Sequence, residues 1–256
     1  MKGRDLVSMS EKEIRAVRGD QISMIFQDPM TALNPVYTIG KQMIEMYRIH
    51  NRISKAAAFD KCVSMLELVG IPLPKQRMNE YPYQLSGGMR QRIMIAMALS
   101  CSPDLLIADE PTTALDVTIQ AQILDQMRKL KEELNTSILL ITHDMGVVAE
   151  MADEVMVMYA GEVVEYGTAE DVFDHPAHPY TRGLLRSIPR LDMDDEKELF
   201  TIEGVVPSLD EFSTGCRFAN RCPHACEACT AQDIPLTGIE GSHTARCRML
   251  QTQEGD

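Results

Sequence analysis

The stretch Leu105-Leu106-Ile107-Ala108-Asp109-Glu110-Pro111 decides the fold of this chain, because it is a short apolar run that ends in two adjacent carboxylates. A run of this length is typical of a strand inside a parallel sheet. Side chains that follow such strands lie at the carboxyl edge of the sheet, where ligands bind. Similar runs occur at Ile22–Phe26, Ile138–Ile141 and Val155–Tyr159, with helical stretches at Thr118–Leu134 and Met145–Met151. Strands that alternate with helices predict an α/β fold whose parallel sheet is covered on both faces.

A small polar triplet precedes this strand. Ser86-Gly87-Gly88 opens an uninterrupted helical stretch that runs from Met89 to about Ser100. A hydroxyl and two glycines at a helix N-terminus present backbone N–H groups to an anion, and the missing Cβ atoms let phosphate oxygens come close. Taken alone, the triplet predicts only a helix cap, and Asp109-Glu110-Pro111 predicts only a turn.

The two carboxylates have a further interpretation. Nucleotide hydrolysis needs one carboxylate to hold Mg²⁺ and a second one to polarise the attacking water. Asp109 and Glu110 lie at the end of an apolar strand, where their carboxylates would project into a cleft at the edge of the sheet.

Composition excludes several classes of protein. A chain of 256 residues can form one large α/β domain, or one domain with an appendage. Its net charge of −13 argues against a surface that binds nucleic acid, because such a surface is basic. The simplest interpretation of this charge is that it keeps the protein soluble. The sequence contains neither an apolar run of about 20 residues nor the apolar stretch of a signal peptide. We therefore expect a cytosolic protein that reaches a membrane only through a partner.

Four motifs occur in an order that resembles the ATP-binding cassette (ABC) ATPases. They are Leu85-Ser86-Gly87-Gly88-Met89-Arg90-Gln91-Arg92, Leu105–Pro111, Ala114-Leu115-Asp116 and Thr142-His143-Asp144. The resemblance implies a P-loop NTPase-like α/β fold with a parallel sheet and a helical subdomain, and it implies ATP and magnesium as cofactors.

The same resemblance assigns roles to single residues. Asp109 corresponds to the magnesium ligand, and Glu110 to the general base. His143 resembles the switch histidine that contacts the γ-phosphate and the catalytic glutamate, and Gln27 resembles the glutamine that senses magnesium and the attacking water. The residues expected at a nucleotide shared with the opposite subunit are Ser86, Gly87, Gly88, Gln91 and Asp116.

The phosphate-binding P-loop of the family does not occur in these residues. Its pattern is Gly-x-x-x-x-Gly-Lys-Ser/Thr, whereas the single Gly-Lys pair, Gly40-Lys41, has Pro35 at the first glycine position and is followed by Gln42. Two explanations stay open: a truncated reading frame or fragment, or a one-sided subunit whose Ser86 and Gly88 complete the site of an intact partner. Because the P-loop strand would lie between the strands that end near His143 and Tyr159, the isolated chain is expected to be poorly stable.

Two longer stretches narrow the resemblance to importer ATPases for dipeptides and oligopeptides. They are Phe173–Leu185, which contains His178-Pro179-Tyr180, and Phe26–Pro35. The resemblance runs from Arg4 to about Arg248. It implies a heterodimer with a second ABC ATPase subunit, two transmembrane permeases and an extracytoplasmic peptide-binding protein, at the cytoplasmic face of the membrane. The alternatives are an importer of nickel or another small solute, and a hydrolysis-incompetent module that supplies only the signature motif, Leu85–Arg92, in trans.

Five of the seven cysteines lie close to the C-terminus. In a reducing compartment such a cluster indicates a metal site before it indicates disulfides. The resemblance assigns Cys216, Cys222, Cys229 and Cys247 to a four-iron four-sulfur cluster and leaves Cys226 as an extra cysteine. Spacing alone suits Zn²⁺ equally well, and a tail without metal is the third alternative.

The expected domains follow the resemblance as well. An ABC ATPase domain spans residues 1–172 and contains a helical subdomain at about 36–100, and the C-terminal extension spans 173–256. Within the subdomain, Ser54 is the predicted cap of a helix that ends at Gly70 before Pro72.

Overall fold

The computed structural model describes residues 1–27, 32–112, 116–189, 200–208, 211–212 and 214–251. They belong to two compact units, Met1–His143 (unit 1) and Asp144–Asp256 (unit 2). Part of the predicted Phe26–Pro35 motif, namely residues 28–31, lies outside the described residues, as do Ala114 and Leu115. The domain boundary expected after residue 172 stays a prediction.

Unit 1 is a parallel sheet with helices. Its strands are β1 (Ile22–Ile25), β2 (Leu105–Asp109) and β3 (Ser137–Ile141). Its helices are α1 (Glu11–Val17), α2 (Ile39–His50), α3 (Lys55–Leu68), α4 (Pro74–Arg77), α5 (Gly87–Leu99) and α6 (Val117–Leu134), with a 3₁₀ turn at Pro82–Gln84.

The sheet of unit 1 has the strand order β1-β2-β3, and both pairs are parallel, as the apolar runs predict. Because alternate residues of a strand face opposite sides, only one face is buried, and it carries Ile25, Leu106 and Ala108. Met24, Leu139 and Ile141 on these strands are 39%, 51% and 46% exposed. The prediction of a sheet covered on both faces is therefore wrong for the part of the chain that the structure describes.

The helices begin and end where local chemistry requires. Ser54 caps α3 as predicted, since its side chain accepts a hydrogen bond of 3.2 Å from the backbone N–H of Ala57. Gly70 follows α3 with φ of +69°, a conformation that glycine adopts without strain. Both ends of α3 therefore follow from the local sequence.

Unit 2 contains an antiparallel sheet in the order β4-β5-β7-β6. The strands are β4 (Glu154–Tyr159), β5 (Glu162–Thr168), β6 (Thr237–Gly238) and β7 (Thr244–Ala245). The described helices are α7 (Met145–Met151), α8 (Ala169–Asp174), α9 (Pro179–Arg186), α10 (Glu227–Ala231) and α11 (Arg248–Gln251), with a 3₁₀ turn at Ala219–Arg221. The core packs β4 and β5 around Phe218.

The structure corrects two expectations about this sheet. The run Val155–Tyr159 is not a parallel strand, because Ala160 and Gly161, both at positive φ, turn the chain back so that β4 pairs antiparallel with β5. The sequence Ala160–Gly167 predicts a turn followed by an edge strand. The turn is confirmed, but β5 is not an edge strand, since Glu165 pairs with Ala245 of β7 on its other side. Throughout the described ranges, every helix is too short or too polar to span a lipid bilayer.

Candidate active site

Glu110 lies at the carboxyl edge of the unit 1 sheet, directly after β2. Its backbone φ is +45°, which is uncommon for a residue with a Cβ atom and is retained only where the surroundings enforce it. One enforcing contact is the Glu110 N–H, which donates a hydrogen bond of 2.8 Å to the carbonyl oxygen of Ile141 at the end of β3. The neighbouring strand thus holds the strained turn in place.

Gln27 and His143 both contact the Glu110 carboxylate. Gln27 Nε2 donates to Glu110 Oε2 over 2.8 Å, and His143 Nδ1 lies 3.0 Å from Glu110 Oε1. The three residues follow β1, β2 and β3 respectively, so parallel strand order brings their side chains to one edge. The structure therefore assembles three side chains that the sequence assigned from three separate motifs.

The arrangement fixes the carboxylate and leaves the histidine accessible. When His143 carries its proton on Nδ1, it donates to Glu110, and its Nε2 remains for another partner. The His143 side chain is 76% exposed, whereas that of Glu110 is 22% exposed. A carboxylate oriented on both oxygens can accept a proton from a water molecule in a defined direction.

Asp109 is the last residue of β2 and lies next to Glu110, opposite Ile141 of β3. The amide of Gln27 donates through nitrogen to Glu110, so its carbonyl oxygen is the group left for a ligand. Carboxylate and amide oxygens are hard donors of the kind that Mg²⁺ prefers. The donor chemistry at this edge fits the predicted magnesium ion, and the assignment of Asp109 and Gln27 as its ligands stays a prediction.

The signature helix α5 begins as the sequence predicts. Ser86 is its N-cap, and the Ser86 hydroxyl oxygen accepts a hydrogen bond of 3.3 Å from the Met89 N–H. A Cβ atom added at Gly87 would meet no heavy atom within 4 Å, whereas one added at Gly88 would lie 3.2 Å from Ile119 of α6. Gly87 therefore leaves the helix N-terminus open to a ligand, and Gly88 allows α5 and α6 to pack closely.

Gln91 is buried, although its place in the signature motif predicts contact with a nucleotide. Its side chain is 2% exposed, and its amide donates to the carbonyl oxygen of Pro111, the residue after Glu110. Helical spacing explains the position, because Gln91 lies one turn before the fully buried Ile95 and shares its inward face. Gln91 links the signature helix to the turn that carries Glu110.

Arg92 and Asp116 also bind within the chain. Arg92 donates to the Val69 carbonyl over 3.2 Å and to the side chains of Gln126 and Gln122, which joins α5 to the end of α3 and to α6. This role was missed from sequence, although Arg92 closes the signature motif. Asp116 caps α6 through a 2.9 Å hydrogen bond from the Ile119 N–H to its carboxylate. Its expected role across a dimer interface stays a prediction.

The metal site predicted on the cysteine tail gains no support from the described residues. Across the described residues, no group of three or more His, Cys, Asp or Glu side chains is arranged to hold a metal ion. Burial raises the pKa of the thiols of Cys216, Cys222, Cys229 and Cys247, which favours their protonated form as long as no metal is bound. The sulfur atoms of Cys226 and Cys229 lie 3.5 Å apart. The assignment of Cys216, Cys222, Cys229 and Cys247 to an iron–sulfur cluster or Zn²⁺ stays a prediction.

A buried network in unit 2 was also missed from sequence. Glu165 is fully buried, and its carboxylate accepts hydrogen bonds from the backbone N–H groups of Ala177 and His178 over 2.7 and 2.9 Å. His243 Nε2 lies 2.8 Å from the same carboxylate. The one signal in the sequence is the His178-Pro179-Tyr180 motif, whose histidine accepts a hydrogen bond from the Tyr180 N–H through Nδ1 and caps α9.

Comparison with known families gives two matches that cover different parts of the chain. The family model described as ABC transporter matches residues 1–113. The model described as oligopeptide/dipeptide transporter, C-terminal region, matches residues 164–229.

Individual relatives are similar over almost the whole chain. A probable peptide ABC transporter ATP-binding protein of Sinorhizobium fredii is 54% identical over 246 residues, which is 96% of this chain and 73% of the relative. The dipeptide transport ATP-binding protein of Bacillus subtilis is 54% identical over 255 residues, which is 100% of this chain and 76% of the relative. Among solved structures, the dimeric post-hydrolysis state of an ATP-binding cassette bound to ADP and phosphate is similar, with a TM-score of 0.58 and 27% identity. That similarity covers 66% of this chain and 72% of the solved chain.

Proposed function

The chain belongs to the ATP-binding subunits of peptide-type ABC transporters, and from this premise we propose that it energises the import of di- or oligopeptides by binding and hydrolysing ATP. Permeases and an external peptide-binding protein are the partners that such an importer requires. We place the subunit at the cytoplasmic face of the membrane, paired with a second, related ATPase subunit.

The observation that carries the proposal is the contact of Glu110 with both Gln27 and His143. Glu110 would accept the proton of the attacking water, and His143 would contact the γ-phosphate through the nitrogen that faces away from Glu110. Asp109 and Gln27 would hold the magnesium ion, which supplies charge neutralisation at the β- and γ-phosphates. Every one of these residues lies at the carboxyl edge of the same sheet.

The N-terminus of α5 would serve the other half of the reaction. Ser86 and the open backbone at Gly87 would bind the γ-phosphate of a nucleotide held by the second ATPase subunit. Nucleotide would then close the pair of subunits, and hydrolysis would release them. Because the 256 residues contain no P-loop motif, the proposal concerns the assembled transporter and not these residues alone.

Replacement of the proposed base tests this function. In the assembled transporter, Glu110→Gln keeps the size and shape of the side chain but removes the base, so ATP hydrolysis and peptide uptake should fall by about 10²- to 10⁴-fold while ATP binding persists. Glu67→Gln makes the same chemical change at an exposed position of α3 and should leave both activities unchanged. Undiminished hydrolysis in Glu110→Gln would refute the assignment.

A second candidate is a subunit that supplies only the signature surface to its partner. The open N-terminus of α5 is the observation that favours it. The two candidates give opposite results when Ser86→Ala and Glu110→Gln are compared. A signature-only subunit loses transporter ATPase activity through Ser86→Ala but not through Glu110→Gln, whereas a hydrolysing subunit loses it through both.

Metal binding by Cys216, Cys222, Cys229 and Cys247 stays a prediction that follows from the resemblance alone. Iron and acid-labile sulfide measurements on the anaerobically purified assembly test it. Stoichiometric iron and sulfide would confirm the cluster assignment, and their absence would contradict it.

A further inference from the structure

Unit 2 contains a cavity of about 820 Å³ that the proposed ATPase function does not use. Its walls come from the α9 residues Pro179–Arg186, from Phe200–Gly204, and from Phe218–His224. Small-molecule sites in proteins have volumes of roughly 300–1,000 Å³, so this cavity has the size of a ligand site.

Three arginines line the cavity: Arg182, Arg186 and Arg221. Within the described residues none of them forms an ion pair, although the chain carries a net charge of −13 and offers many carboxylates. Glu203 also contributes to the wall, but within the same part of the chain no contact joins its carboxylate to these guanidinium groups. The cavity is therefore a concentration of positive charge in an acidic protein.

Neutral groups hold two of the guanidinium groups in fixed directions. Arg221 donates to the backbone carbonyls of Glu203 and Ile202 over 2.8 Å each, and Arg182 Nε donates to the carbonyl of Pro176 over 2.7 Å. These carbonyls orient the arginines without cancelling their charge. The guanidinium of Arg186 stacks over the Phe200 ring at 4.0 Å.

The backbone of the cavity wall is closely fitted. A Cβ atom at Gly183 would lie 2.9 Å from the Ile202 side chain, and Gly204, at φ of +78°, packs against Arg221. Arg182 and Arg186 are one helical turn apart on α9, and like charges at this spacing destabilise a helix unless an anion compensates them. The wall thus places three cations around one space.

We propose that this cavity binds a small molecule with two or more anionic groups, phosphate or carboxylate, through Arg182, Arg186 and Arg221. Guanidinium groups match both anions with paired N–H donors, and their orientation before binding reduces the entropy lost on binding. The site lies within unit 2 and belongs to no step of ATP hydrolysis in unit 1.

Calorimetric titration of the purified full chain with inorganic pyrophosphate and, separately, with citrate tests the proposal. At least one probe should bind at a one-to-one ratio, and rising salt should weaken the binding. Arg186→Gln should weaken it at least 10-fold, and Arg182→Gln with Arg186→Gln should abolish it. The control Arg15→Gln removes an exposed arginine of α1 that pairs with Glu11 and should bind as the unaltered chain does.

The two probes separate the two sources of anionic groups. Binding of pyrophosphate alone identifies a phosphate-bearing ligand, binding of citrate alone identifies a polycarboxylate, and both outcomes support the site. Since the described contact of Arg186 is the Phe200 ring, Arg186→Gln should melt within a few degrees of the unaltered chain and remain interpretable. Arg186→Lys keeps the positive charge but not the paired N–H donors of the guanidinium group, so it should retain part of the affinity.

Three results would overturn the proposal. The first is no saturable binding of either probe at low salt. The second is binding that Arg182→Gln with Arg186→Gln leaves unchanged, which would locate the probe elsewhere. The third is binding that appears only after Asp192, Asp194, Asp195 and Glu196 are replaced by their amides, which would assign the cavity to an acidic segment of this chain.

Discussion

At the scale of single residues, the site depends on how Glu110 is held. Its strained backbone is tied to β3 through Ile141, and its carboxylate is tied to Gln27 and His143. The side-chain amide of Gln91 also donates a hydrogen bond to the carbonyl oxygen of Pro111, the residue after Glu110. Since Gln91 belongs to the signature helix, this one amide connects the surface proposed for the partner's nucleotide to the base proposed for the chain's own site.

Replacing Gln91 should therefore lower ATP hydrolysis by more than the loss of folding stability explains. Gln91→Met keeps the side-chain length but leaves the buried Pro111 carbonyl without its donor, at a cost of about 1–3 kcal/mol. We expect ATPase activity of the assembled transporter to fall with ATP binding retained, measured beside urea unfolding of the chain. The exposed control Gln76→Met should alter neither quantity, and normal turnover in Gln91→Met would reject the coupling.

Two glycines give a second test, because they differ in what surrounds them. A Cβ atom at Gly40 would lie 2.6 Å from the Met78 carbonyl oxygen, so Gly40→Ala should lower the free energy of unfolding by about 1–3 kcal/mol despite the better helix propensity of alanine. Gly87→Ala meets no neighbour and should keep its stability while losing ATPase activity, because its Cβ blocks the phosphate. Thermal unfolding and ATPase assays decide, and a stable Gly40→Ala or a fully active Gly87→Ala would contradict the role given to that glycine.

Sequence was sufficient to single out Gln27, Glu110 and His143 through the family resemblance, and the structure brings their side chains together because each one closely follows a strand of a parallel sheet. Their catalytic roles stay predictions. Sequence was not sufficient for Gln91, since a motif shows which residues recur together but not which side of the helix each one faces. Burial against Pro111 emerges only when α5 and β2 are packed together. The arginine cavity was missed for the same reason, because its three cations come from two separate elements.

At the scale of elements, helix caps are the most predictable feature. Ser54 and Ser86 cap α3 and α5 through the same hydrogen bond, from the backbone N–H three residues later. Strand pairing is less predictable, because an apolar run does not specify its partner. The run at Val155–Tyr159 resembles a parallel strand in composition, but the turn at Ala160 and Gly161 makes it antiparallel.

The two capping serines allow structural and functional effects to be separated. Ser54→Ala and Ser86→Ala should each lower the free energy of unfolding by about 1 kcal/mol, because each one removes an N-cap acceptor. Ser86→Ala alone should also lower ATPase activity of the assembled transporter, since only that hydroxyl lies at the proposed phosphate site. Equal ATPase activity of Ser54→Ala and Ser86→Ala would show that Ser86 acts only as a helix cap.

At the scale of the whole molecule, the two units reach stability by different means. Unit 1 buries apolar side chains between helices and one face of a parallel sheet. Unit 2 adds polar groups to its core, where Glu165 joins β5 to His243 and to the start of α9. A buried carboxylate with three hydrogen bonds is favourable only when all its partners are present, so the packing of unit 2 depends on all three contacts.

Burial of His178 makes the stability of unit 2 depend on pH. Burial lowers the pKa of His178 from the ordinary value of 6.5 to about 4, so between these pH values the unfolded chain binds a proton that the folded chain does not. The stability that His178 contributes, at most about 3 kcal/mol, is complete above pH 6.5 and is lost as pH falls through about 4. In urea titrations from pH 7 to 4, His178→Asn should therefore show a shallower loss of stability than the unaltered chain, because asparagine can cap α9 without titrating. His175→Asn, at an exposed histidine, should keep the original slope, and equal slopes for all three proteins would contradict the assignment.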